Sequence, residues 1–167
     1  MTIVRIALLC ALLTGGPAPA AAAASRADSD VIQTIGEQDL AALVTAVGDR
    51  VDAVHPFGDP SVRGRTADGV RYVLIAVDCP SQKLDGCTGL MMQIRFTAEE
   101  DVALERVNDA NFNEAAVTTW YDRESKVVGF TRFINIDGGV TWANLKSNLR
   151  MLFEAQHGAQ ASVWPEP

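Results

Sequence analysis

Two stretches decide the fold: Val70-Arg71-Tyr72-Val73-Leu74-Ile75-Ala76-Val77, and Leu90-Met91-Met92-Gln93-Ile94-Arg95-Phe96-Thr97 beyond a cysteine-bounded loop. In the first, Tyr72, Leu74 and Ala76 fall on one side of an extended chain, while Val73, Ile75 and Val77 fall on the other. Both faces are apolar, which marks a central strand. In the second, Leu90, Met92, Ile94 and Phe96 alternate with Met91, Gln93, Arg95 and Thr97. That pattern buries one face and leaves the other mixed and mostly wet. The loop between them, Cys79-Pro80-Ser81-Gln82-Lys83-Leu84-Asp85-Gly86-Cys87, is rich in turn formers.

Working outward, Asp68-Gly69 is a hairpin turn into the first strand, and weaker extended patterns precede it at 51–55 and 61–66. Those two are joined through Pro56-Phe57-Gly58-Asp59-Pro60. Leu40, Leu43, Val44 and Val47 recur at helical spacing, with Gly48 as a stop, and predict a first helix. A short extended piece precedes it at 31–35. Thr97 followed by Glu100 fits a capping box, and Glu99-Glu100-Asp101 suits a helix N-terminus, so a second helix is expected to begin there. Strands follow at 117–121 and 127–136. Asp137-Gly138-Gly139 then breaks the chain before a last helix from about residue 141. Trp142, Leu145, Leu149, Leu152, Phe153 and Gln156 form its stripe, and Gly158 is expected to end it. Strand runs joined by hairpins, with helices between them, predict an α+β domain on a mostly antiparallel sheet.

The beginning of the chain reads as a signal peptide. Arg5 supplies the positive n-region, residues 6–13 the apolar h-region, and Ala22-Ala23-Ala24 an A-x-A site cleaved between Ala24 and Ser25. The h-region is too short to span a bilayer, and no later stretch is long and apolar enough, so no membrane insertion is expected after cleavage. The expected division is a leader over 1–24, one domain over 25–158 and a flexible tail over 159–167. Periplasmic or secreted location follows. Of three cysteines, Cys10 would leave with the leader, and Leu9 before it disfavours a lipid anchor. Cys79 and Cys87 would remain as an even pair in an oxidising compartment, where a disulfide is favoured. Closing so short a loop stabilises by about 2.5 kcal/mol in the chain-entropy model. A redox or metal pair would call for the C-x-x-C spacing, which is missing.

The formal net charge of −7 and the absence of a Lys/Arg cluster along the chain argue against nucleic-acid binding. No H-E-x-x-H, G-x-S-x-G or G-x-x-x-x-G-K-[ST] motif occurs. The two histidines, His55 and His157, have no partners at ligand or triad spacing; His55 reads as a loop residue and His157 as a dipole partner near a helix end. Three consecutive carboxylates at a helix start splay around its axis and do not converge on a cation. No catalytic, cofactor-binding or metal residues are therefore assigned. Asn108 and Asn111, three apart beside the stripe of Leu104 and Val107, are the least ordinary polar pair. Backbone hydrogen bonding is favoured for them over ligand binding.

Gly58-Asp59-Pro60-Ser61-Val62, the two cysteines before a Leu-rich strand, Val107-Asn108-Asp109-Ala110-Asn111 and Asp137-Gly138-Gly139-Val140 occur in that order. Together, over about residues 31–155, they resemble the exported members of the YbjN domain family, bacterial proteins described as sensory transduction regulators. The resemblance implies a fold similar to type III secretion chaperones, with α-β-β-β-α-β-β-α order, and it brings no catalytic residues. It also implies a regulatory or chaperone-like role. Ala110 stands where the family commonly has a bulky residue, so packing there is expected to differ.

Three functions follow. The first is a non-enzymatic exported domain that binds an unidentified protein or peptide or forms a homodimer, with Met91 and Arg95 as candidate interface residues. The second is a small-ligand sensor with a pocket near Trp120, Tyr121 and Trp142. The third is a hydrolase with a dispersed site.

Overall fold

A computed structural model describes residues 26–54, 60–80 and 85–165. The expected leader, its cleavage point at Ala24 and Ser25, Cys10 and His55 lie outside the described residues. The elements are β1 (Val31–Ile32), α1 (Glu37–Ala46), β2 (Arg50–Val54), β3 (Ser61–Arg65), β4 (Arg71–Val77) and β5 (Gly89–Thr97). They continue as α2 (Leu104–Asn113), β6 (Thr118–Asp122), β7 (Val127–Asn135), β8 (Val140–Thr141) and α3 (Trp142–Val163). The class is α+β. The chain between α1 and α2 holds four strands, three before the cysteine loop and one after it.

Six strands form one antiparallel sheet in the order β2-β3-β4-β5-β7-β6. The doubly apolar strand β4 lies inside it, as its pattern requires. Directly opposed pairs set the faces: Leu74 against Met92, Ile94 against Phe130 and Tyr72 against Ile94 all point to the helix layer. There they meet Leu40, Leu43 and Val44 of α1 and Trp142, Leu145, Leu149 and Leu152 of α3, all buried. Burying a large aliphatic or aromatic side chain contributes about 1.5–3 kcal/mol, so this single layer contact dominates the fold.

The chain before α1 straps the helix layer down. Backbone carbonyls of Asp28 and Asp30 accept the first amides of α3, from Ala143 and Trp142, at 3.0 and 2.8 Å. Those amides have no intrahelical partner, so the strap supplies a cap. Lys146 pairs with Asp28, Arg26 pairs with Asp39 and lies over the Trp142 ring, and β1 pairs with β8. At the turn before β8, Gly138 and Gly139 both take positive φ, which reverses the chain without strain.

Two boundaries differ from the sequence expectation. Helix α2 begins at Leu104, not near Thr97, because Ala98 donates to the Lys126 carbonyl at 2.8 Å and so extends the sheet. The Thr97–Glu100 pair caps no helix. Helix α3 does not stop at Gly158 but continues to Val163, so residues 159–163 are not a flexible tail. Ala159 and Val163 extend the buried stripe, and Trp164 packs edge-on against Phe96. Gly158 serves close packing: a Cβ there would lie 2.1 Å from the Glu114 carboxylate.

Candidate functional site

The helices occupy one face of the sheet, and among the described residues none packs on the other. That uncovered face holds Met91, Gln93 and Arg95 of β5, so both candidate interface residues lie on it. Met91 stands directly between Ile75 of β4 and Phe133 of β7. Ile75 and Met91 are half-buried, whereas Phe133 is 53% exposed. A row of three apolar side chains thus crosses three strands.

Polar contacts run alongside that row. Gln93 donates to the Met91 sulfur at 2.8 Å, and Arg95 Nε donates to Gln93 Oε1 at 3.0 Å. The Arg95 guanidinium lies 5.7 Å above the centre of the Trp120 ring, and burial lowers its pKa from the usual arginine value. Trp120 Nε1 donates to Thr131 Oγ1 at 2.8 Å. The mixed face of the β5 pattern is therefore organised, with Arg95 held between an amide and an indole.

Charge gathers on the same face. Arg50 opposes Arg65, and Arg65 opposes Arg71. One residue beyond the Tyr72–Ile94 pair, the same register carries Arg71 to Arg95. Asp52, at the β2 bulge, accepts from Arg65 at 2.7 Å and from Arg50 at 3.0 Å. The Arg65 hydrogen bond foremost holds the Asp52 carboxyl below the usual carboxylate range. The sequence shows no Lys/Arg cluster, yet the sheet builds one from arginines on four strands. Only the strand register could have revealed it.

The other expected residues part company. Asn111 clamps the edge strand: Nδ2 donates to the Val107 and Thr119 carbonyls at 3.0 Å, and Oδ1 accepts the Thr119 amide at 2.8 Å. Asn108 is exposed and makes no side-chain hydrogen bond among the described residues. Cys79 and Cys87 form a disulfide, consistent with an oxidising compartment. Backbone hydrogen bonds from Cys87 to Ile35 in both directions fix its position.

Trp120, Tyr121 and Trp142 do not enclose a pocket together. Adjacent strand residues point to opposite faces, so Trp120 lies on the uncovered side, while Tyr121 and Trp142 lie on the helix side. A cleft of about 380 Å³ opens elsewhere, lined by Phe96, Glu99, Glu100, Gln160 and Trp164 among others. His157 lies within α3, not at its end, and its Nδ1 meets the Phe153 carbonyl at 2.6 Å. No group of three or more His, Cys, Asp or Glu residues among those described is arranged to hold a metal ion. Comparison with protein-family models, with curated proteins and with solved structures finds no match to this chain.

Proposed function

We propose that this chain is a non-enzymatic exported domain that binds a protein or peptide partner on the uncovered face of its sheet. The carrying observation is the apolar row Ile75–Met91–Phe133, aligned across three strands with no described helix over it. Apolar side chains in register on an exposed surface are a recognised mark of a contact site. Methionine adds an adaptable contact, since its unbranched side chain can repack against different partners. The edges of the sheet are less suited to strand addition. A bulge interrupts β2 between Val51 and Ala53, and Asn111 engages β6.

Export is supported by the leader pattern and by the disulfide. The resemblance to YbjN domains supports a regulatory or chaperone-like role in the envelope. Intact-mass measurement on protein from the envelope should show loss of about 24 residues, as the A-x-A site implies, with no added lipid. A retained Met1 would refute export.

Met91→Asp tests the binding face. It should weaken partner capture or self-association by the exported protein while circular dichroism stays native. Unchanged binding in the folded variant would place the interface elsewhere. Unfolding of the variant would assign Met91 to the core, and Phe133→Asp, at a more exposed position, then carries the same test.

A further inference from the structure

We propose that the arginine row on the uncovered face docks an acidic segment of a partner protein. The partner's carboxylates would meet the guanidinium groups, and its apolar side chains would meet Ile75, Met91 and Phe133. This rests on the protein-binding reading above and names the chemistry of the partner.

Strands β2 to β5 carry six charged residues: Arg50, Asp52, Arg63, Arg65, Arg71 and Arg95. All five arginines point to the uncovered face, because their opposed or alternate neighbours Val62, Gly64, Tyr72 and Ile94 point to the helices. Asp52 balances part of the charge on Arg50 and Arg65. Arg63 and Arg71 make no ion pair among the described residues. The chain as a whole is acidic, at −7, so the face is opposite in sign to the molecule that carries it. Like charges directly opposed on neighbouring strands repel, and a docked anion relieves that repulsion.

The residue type and the layout narrow the partner. Every cation on these strands is arginine, whose planar fork takes a carboxylate with two parallel hydrogen bonds. Neighbouring strands lie about 4.8 Å apart, so Arg50, Arg65, Arg71 and Arg95 span roughly 15 Å. The apolar row lies four residues further along β4 and β5, about 13 Å away. A nucleic-acid backbone has charge for the first row but no aliphatic side chains for the second. An acidic protein segment has both.

The test uses the exported protein and a labelled peptide of roughly 20 residues made of Glu, Leu and Ala, a length sufficient to cross the face. Fluorescence anisotropy should show binding that weakens at least about tenfold between about 50 and 500 mM NaCl. Joint Arg63→Glu and Arg71→Glu changes should also weaken it at least about tenfold, as expected for opposed charges at an interface. Arg150→Glu, on the exposed side of α3, should leave it unchanged. If the charge reversal unfolds the sheet, Arg63→Gln with Arg71→Gln replaces it and should still weaken binding. A peptide with Lys in place of Glu should not bind.

Binding insensitive to these arginine changes would overturn the proposal. So would a thymidine oligonucleotide that binds as tightly as the peptide and is lost on charge reversal. Arginine-dependent self-association without affinity for the peptide would overturn it in favour of a second copy. If Met91→Asp abolishes partner capture while the double arginine change leaves it intact, the face binds protein by other chemistry and only this inference fails. If neither affects capture, both fail.

Discussion

Trp120 lies across Gly129, its directly opposed neighbour on β7, and fills the space a side chain would take there. A Cβ at residue 129 would sit 2.1 Å from Cε2 and Cζ2 of the indole. Arg95 opposes Gly129 from the other side, so the missing side chain lets an edge-strand tryptophan reach a central-strand arginine. The helix face repeats the device: a Cβ at Gly64 would lie 2.3 Å from the ring of the opposed Tyr72. Glycine otherwise weakens strands, and here each is covered by an aromatic ring from the neighbouring strand.

Gly129→Ala should therefore displace the indole and destabilise the domain by about 1–3 kcal/mol, the usual cost of overpacking. Urea denaturation followed by near-ultraviolet circular dichroism measures both effects. An unchanged midpoint together with an unchanged tryptophan signal would refute the contact.

Cys79→Ser with Cys87→Ser should cost about 2–3 kcal/mol while leaving the proposed partner binding intact wherever the domain still folds. Alkylation of the native protein should detect no free thiol at either position. Labelling of both cysteines would contradict the staple.

The two asparagines should separate sharply on mutation. Asn111→Ala leaves backbone groups of the edge strand without their partner and should cost about 1–3 kcal/mol. The Thr119 amide, which it holds, should then exchange with solvent faster in hydrogen-exchange measurements. Asn108→Ala should change stability by less than about 0.5 kcal/mol, as for ordinary surface positions.

Stability should fall at both ends of the pH scale for identifiable reasons. Asp52 has a depressed pKa in the fold, chiefly from the Arg65 hydrogen bond, so its contribution is present above the ordinary carboxylate value of about 4 and is lost as pH falls through the lower folded value. Asp52→Asn should flatten that acid limb. Tyr72 has a raised pKa, chiefly from burial and then from its 2.8 Å bond to Asp49, so its contribution is full below about pH 10 and declines as pH rises further. Tyr72→Phe should cost about 1 kcal/mol at neutral pH, the net worth of one hydrogen bond, and should flatten the alkaline limb. Chemical denaturation across the pH range reads both limbs, and parallel wild-type and variant curves would refute either assignment.

Local chemistry carried much of the architecture in the sequence. Alternation at Leu90, Met92 and Ile94, apolar residues on both faces of β4 and the stripe from Trp142 to Leu152 each reflect a repeat of two or of three to four residues, which one segment specifies alone. The turn glycines at 138 and 139 and the spacing of Cys79 and Cys87 are local in the same sense. Tertiary structure decided everything that depends on which segments become neighbours. The arginines of β2 to β5 are scattered along the chain, and only antiparallel register sets them in one row. Trp120 and Trp142 look like partners in composition, but the strand's alternation and the helix layer place them on opposite sides of the sheet. Gly158 reads locally as a helix stop, yet the buried stripe through Ala159 and Val163 outweighs its propensity, and Glu114 occupies the space beside it. A helix penalty of about 1 kcal/mol for glycine is small against two further apolar residues packed in the core.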